Sequence, residues 1–208
     1  MTAFSELLSQ IRIVPVLTVT SEDEALNTCR ALQAGGIRAV EITLRTSAAL
    51  DCIAAVRRNL PEFKVAAGTI KSVQDLERVA AIGVDFAVSP GITPELAKQA
   101  EALKVSLLPG VATASELMLG LAAGLNCFKL FPAEAVGGLQ LLKALSAPFP
   151  EASFCPTGGI TPDNFRDYLR LANVLCVGGS WMVSRSLIEQ ENWEEISRLS
   201  ELAMGDRV

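Results

Sequence analysis

The chain has 208 residues, half of them hydrophobic and a fifth charged, which is enough for one substantial core without a second domain. Its formal net charge of −5, with lysines and arginines scattered rather than run together, excludes the basic footprint of a nucleic-acid binder and points to a small molecule or another protein chain as partner. Histidine is absent, which removes the commonest metal ligand and every imidazole-based triad, so chemistry falls to lysine, carboxylate or backbone.

The first residues, Thr2-Ala3-Phe4-Ser5-Glu6-Leu7-Leu8, interrupt any secretory pattern with acidic and polar side chains and read as a short N-terminal helix. No later apolar run is long enough to cross a bilayer, so a cytoplasmic protein is expected. Ile13–Val19 is the first β-rich run; Arg38–Leu44, Lys64–Thr69, Asp85–Ser89, Val105–Leu108, Asn126–Phe131, Ser153–Thr157 and Val174–Val177 follow at near-even intervals. Each gap holds a helix of ordinary length. Helix starts are marked by capping-box spacing at Ser21-x-x-Glu24, Ser72-x-x-Asp75 and Thr113-x-x-Glu116, and by a cap residue before proline at Thr93-Pro94 and Thr161-Pro162. Gly36, Gly83 and Gly124 stand where those helices should end. Eight strands in repeated βα units predict a single-domain (β/α)8 TIM barrel over residues 1–208. An open doubly wound sheet shows the same alternation, but no G-x-G-x-x-G follows the first strand. Five cysteines without C-x-x-C spacing suggest buried apolar side chains rather than disulfides or zinc ligands.

Strand parity puts Ala39, Glu41, Thr43 and Arg45 on one side of the second strand and its end, with Val40, Ile42 and Leu44 on the other. A barrel interior is normally filled with branched apolar side chains, so Glu41 facing it requires a partner or a task. A structural ion pair with Arg45 or Lys129 is the plainer account. By the same parity Cys127, Lys129 and Phe131 share a face of the sixth strand. Lys129 is an ammonium in an apolar run: either it snorkels to water or pairs with a carboxylate, or desolvation favours the neutral amine, which attacks ketones. Arg45, Thr69, Pro90, Lys129, Phe131, Thr157 and Ser180 all fall at or near strand C-terminal ends, where barrel active sites gather, and this convergence favours chemistry. The pairs Gly158-Gly159 and Gly178-Gly179 follow the seventh and eighth strands, where many barrels hold phosphate on backbone amides. Such a set can bind a keto acid, form an imine and move protons with no metal or other cofactor.

Val-Glu-Ile-Thr-Leu-Arg-Thr (40–46), Ala-Gly-Thr (67–69), Val-Ser-Pro-Gly (88–91), Leu-Pro-Gly-Val-Ala-Thr (108–113), Phe-Lys-Leu-Phe-Pro-Ala-Glu (128–134), Phe-Cys-Pro-Thr-Gly-Gly-Ile (154–160) and Val-Gly-Gly-Ser-Trp (177–181) closely resemble the bacterial KDPG aldolase family over nearly the whole chain. These enzymes cleave 2-dehydro-3-deoxy-6-phosphogluconate, and many also cleave 4-hydroxy-2-oxoglutarate. The resemblance implies a homotrimeric, metal-free lyase in which Lys129 forms the imine and Glu41 shuttles protons. It implies further that Arg45 and Thr69 hold the pyruvate carboxylate, that Pro90 and Phe131 line the pyruvate pocket, and that Thr157 contacts substrate. Gly158, Gly159, Gly179 and Ser180 match the phosphate end. The alternatives are an aldolase for the galactonate epimer and a sugar-phosphate isomerase or epimerase using Glu41 as base.

Overall fold

Strands that bury both faces require cover on both, and helices after each strand supply it on one side while barrel closure supplies the other. The computed structural model describes residues 2–205 of the expected 1–208 domain. After α1 (Ala3–Ile11) come β1 (Ile13–Leu17), α2 (Glu22–Ala34), β2 (Ala39–Thr43), α3 (Ala49–Asn59), β3 (Lys64–Gly68), α4 (Val73–Ile82), β4 (Phe86–Ser89), α5 (Pro94–Leu103) and β5 (Leu107–Val111). They are followed by α6 (Ala114–Ala122), β6 (Cys127–Leu130), a 3-10 turn (Glu134–Val136), α7 (Gly138–Ser146), β7 (Ser153–Pro156), α8 (Phe165–Leu169), β8 (Val177–Gly179), α9 (Arg185–Glu189) and α10 (Trp193–Gly205).

The strands run in the order β7-β6-β5-β4-β3-β2-β1-β8, and every paired neighbour is parallel. Two single bridges, Phe154 to Val174 and Thr157 to Gly178, join the ends of that row and close the barrel. The (β/α)8 architecture is thus the expected one. Val40, Ile42, Val65, Phe128 and Leu130 pack outward against the helices. Inside lie Val14, Ala39, Ala66, Phe86, Val88, Leu108, Cys127, Cys155 and Cys176, capped at the N-terminal end by Leu8 and Ile11 of α1. Phe4 completes this plug with its ring centroid 5.6 Å from that of Phe86. All five cysteines are buried and unbridged.

Three sequence expectations are corrected. The fifth strand is Leu107–Val111 rather than Val105–Leu108, and the eighth is Val177–Gly179 rather than Val174–Val177. In both, a glycine that reads as a turn lies within the ladder because a neighbour fills the space of a Cβ: the Pro90 backbone at Gly110 and the Thr157 side chain at Gly178. A Cβ at Gly178 would stand 2.3 Å from Thr157 Oγ1, so the barrel seam admits only glycine. Gly178 and Gly179 therefore belong to β8 instead of following it. Thr161-Pro162 opens a turn, not a helix: Asn164 Oδ1 accepts the Thr161 N–H at 2.9 Å, and α8 begins at Phe165. The other four starts hold, with Ser21, Ser72, Thr93 and Thr113 each accepting an N–H of the first turn.

Candidate active site

Glu41 on β2 and Lys129 on β6 belong to strands separated by three others, so a bond between them has to cross the barrel interior. Lys129 Nζ donates to both carboxylate oxygens of Glu41, each at 3.1 Å, and the two residues are 6 % and 4 % exposed. Small neighbours make room for the pair: Ala66 lies beside Glu41 in the β2–β3 register and Gly110 beside Lys129 in β5–β6. Gly68 is decisive, because a Cβ there would stand 2.2 Å from Glu41 Oε1 and displace the carboxylate. Lys129 Nζ also lies 5.2 Å from the Phe131 ring centroid, where the π face favours the cation. Of the two ion pairs open to Glu41 from sequence, the one with Lys129 forms.

Arg45 instead turns to the neighbouring strand end. Its Nε donates to Thr69 Oγ1 at 3.3 Å, while the Leu44 N–H bonds the Gly68 carbonyl at 2.9 Å and holds the two chain turns together. Thr69 takes φ +63°, an unfavourable left-handed conformation for a β-branched residue, and strain of this kind concentrates at ligand sites. Beyond β7, the Thr157 and Gly158 carbonyls accept the Ala133 and Glu134 N–H groups at 2.8 and 3.1 Å. Glu134 in turn accepts from the Tyr168 hydroxyl, which burial and this carboxylate keep protonated. The glycine loop is thus fixed from outside.

A cavity of about 360 Å³ opens at the C-terminal ends of the strands; Glu41 and Lys129 do not line it themselves but adjoin it through Val16, the register partner of Glu41, and through Phe131, two residues beyond Lys129. Its walls include Arg45, Phe131, Thr157, Gly158, Gly159, Gly179 and Ser180, all singled out from the sequence. Thr69 joins through Arg45, whereas Pro90 is exposed and does not line this cavity. The sequence reading missed Val16, Thr18, Ser184 and Arg185. Parity along the first strand run carries a signal for Val16 and Thr18; Arg185 lies in a polar stretch that reads as surface. Below the pair, burial and the neighbouring Cys155 push the Cys127 thiol up to about 11, so it is protonated at neutral pH and is a poor nucleophile. No group of three or more histidine, cysteine, aspartate or glutamate side chains able to hold a metal occurs among the described residues. A buried amine hydrogen-bonded to a carboxylate, in a barrel whose C-terminal cavity is lined by arginines, glycines and hydroxyls, can form an imine with a keto acid and move protons beside it.

Residues 4–199 match the family model for aldolases described as KDPG and KHG aldolase. The KHG/KDPG aldolase of Escherichia coli K12 is 45 % identical over 203 residues, covering 98 % of this chain and 95 % of that protein. The KDPG aldolase of Legionella pneumophila, solved with pyruvate captured as a covalent carbinolamine intermediate, superposes with a TM-score of 0.93 at 42 % identity, covering 96 % of this chain and 97 % of that one. The Zymomonas mobilis 2-keto-3-deoxy-6-phosphogluconate aldolase, solved with 3-phosphoglycerate, gives 0.89 at 40 % identity, covering 96 % and 94 %.

Proposed function

This chain belongs to the KDPG and KHG aldolase family, and from that premise we propose that it is a Schiff-base lyase cleaving 2-dehydro-3-deoxy-6-phosphogluconate to pyruvate and glyceraldehyde 3-phosphate, reversibly, and also cleaving 4-hydroxy-2-oxoglutarate. The observation that carries the reading is the Lys129–Glu41 pair buried inside the barrel. The carbinolamine trapped in the Legionella relative supports the same covalent route.

The neutral amine of Lys129 attacks the keto carbon at C2 and forms a carbinolamine. Its hydroxyl takes up a proton and leaves as water, giving a protonated imine. Its positive nitrogen is the electron sink for breaking the C3–C4 bond: Glu41, directly or through a water, takes the proton from the C4 hydroxyl, the aldehyde departs and an enamine remains. Protonation of that enamine at C3 with help from Glu41, followed by hydrolysis, releases pyruvate and the free amine. In the free enzyme both Nζ bonds to Glu41 hold base and nucleophile side by side. Arg45, oriented by Thr69, receives the planar carboxylate with its guanidinium fork, and Phe131 is assigned to the pyruvate pocket, where the family resemblance alone also puts Pro90. Thr157 contacts the substrate chain, while Gly158, Gly159, Gly179 and Ser180 take the phosphate.

Family resemblance further supports a cytoplasmic homotrimer working in the Entner–Doudoroff pathway. Incubating the purified protein with the phosphorylated gluconate substrate should yield equimolar pyruvate and glyceraldehyde 3-phosphate. Faster release of pyruvate from the galactonate epimer would reassign the substrate, and isomerisation without pyruvate would reassign the reaction class.

A further inference from the structure

The charged residues lining the cavity are Arg45 and Arg185, with no carboxylate among the lining residues, although the whole chain carries −5. Arg45 is engaged with Thr69 at the end assigned to the substrate carboxylate. Arg185 comes from α9, just beyond the stretch that carries Gly179 and Ser180. Its guanidinium is held from two directions: Nη1 donates to Glu24 Oε1, and Nε donates to Glu189 Oε1 at 2.8 Å. Glu24 is itself fixed, since its Oε2 accepts the Thr20 N–H at 2.5 Å and the Thr20 hydroxyl at 2.8 Å. The Glu24 side chain is 11 % exposed against 49 % for Arg185. A carboxylate rooted in α2 thus orients an arginine of α9 across the chain end of β1, where Thr18 lines the same cavity. Among the described residues, nothing accepts from the Nη2 amino group of Arg185.

An ordinary exposed ion pair contributes little and needs no such support. A guanidinium whose orientation is set by two carboxylates, and which keeps unused donors at a cavity wall, is suited to an anion with several oxygens. We propose that Arg185 is a specificity-determining residue of this site, recognising the distal phosphate of the substrate, with Glu24 as the residue that positions it. This rests on the aldolase reading above and deepens it. Backbone amides and the Ser180 hydroxyl donate hydrogen bonds from one side; Arg185, its charge shared with Glu24 and Glu189, adds the charge-assisted donors of its Nη2 amino group from another. A substrate lacking the phosphate gains nothing from it.

The test measures kcat and KM on the phosphorylated keto acid and on the same keto acid without its phosphate, together with inhibition by inorganic phosphate. Arg185→Gln should raise KM for the phosphorylated substrate about 10-fold, with kcat within about twofold, and weaken phosphate inhibition by about the same factor. Its kcat/KM on the unphosphorylated acid should fall less than about threefold. Arg185→Lys should recover part of the loss, and Glu24→Gln should shift KM in the same direction by a smaller factor because the arginine is then held from one side only. Equal losses on both substrates, or unaltered phosphate inhibition, in variants whose circular dichroism is intact would overturn the proposal and leave Arg185 as a clamp between α9 and α2. A wild-type protein that cleaves neither acid defeats the aldolase reading, and this inference with it, before any variant is made.

Discussion

Glu41 and Lys129 lie far apart in the chain and meet only because β2 and β6 face one another across the barrel. Parity placed each residue inside, so the candidates were legible from sequence alone. The partner of Glu41 was not, because Arg45 and Lys129 share the inward direction and only the closed barrel decides between them. Gly68 was equally silent: its role is to leave the volume that the Glu41 carboxylate fills. Glu41→Gln keeps that volume and removes the base. Imine trapping should survive, while cleavage and exchange of the pyruvate methyl protons fall by about 10²–10⁴-fold; near-normal exchange in a folded variant would remove Glu41 from the proton path. A side chain at Gly179 is less informative, since its Cβ would stand 2.0 Å from the Trp181 ring and confuse packing with recognition.

At the scale of elements, the βα rhythm fixed the number of strands and their order in the chain, because apolar runs and capping residues are local signals. The limits of β5 and β8 were misplaced where the ladder runs through Pro109-Gly110 and Gly178-Gly179, residues whose local preference is for turns. Tertiary approach overrides that preference. Other contacts serve the barrel rather than the chemistry. Asp85, just before β4, accepts from Arg57 of α3 at 2.6 Å and from the Val65 N–H at 2.9 Å, and pairs with Lys64 of β3 at 3.1 Å. This cluster lies at the N-terminal ends of the strands, away from the cavity. Asp85→Asn should therefore lower stability by about 1–2 kcal/mol, read from urea denaturation, with kcat and KM unaltered. A parallel fall in kcat would show that the two barrel ends are coupled.

Over the whole molecule, polarity is divided between the two ends of one barrel. The α1 plug and the buried cysteines close the N-terminal end with apolar packing, and the arginines, hydroxyls and glycine turns collect at the other. A net-negative chain with a positively lined cavity is suited to drawing in an anionic substrate. The account depends on one covalent bond, and reduction traps it. Borohydride added to the protein with pyruvate should attach one pyruvate per chain, with peptide mass spectrometry placing it on Lys129 among the six lysines. An adduct chiefly on Lys64, Lys71, Lys98, Lys104 or Lys143, or none on the folded protein, would contradict it.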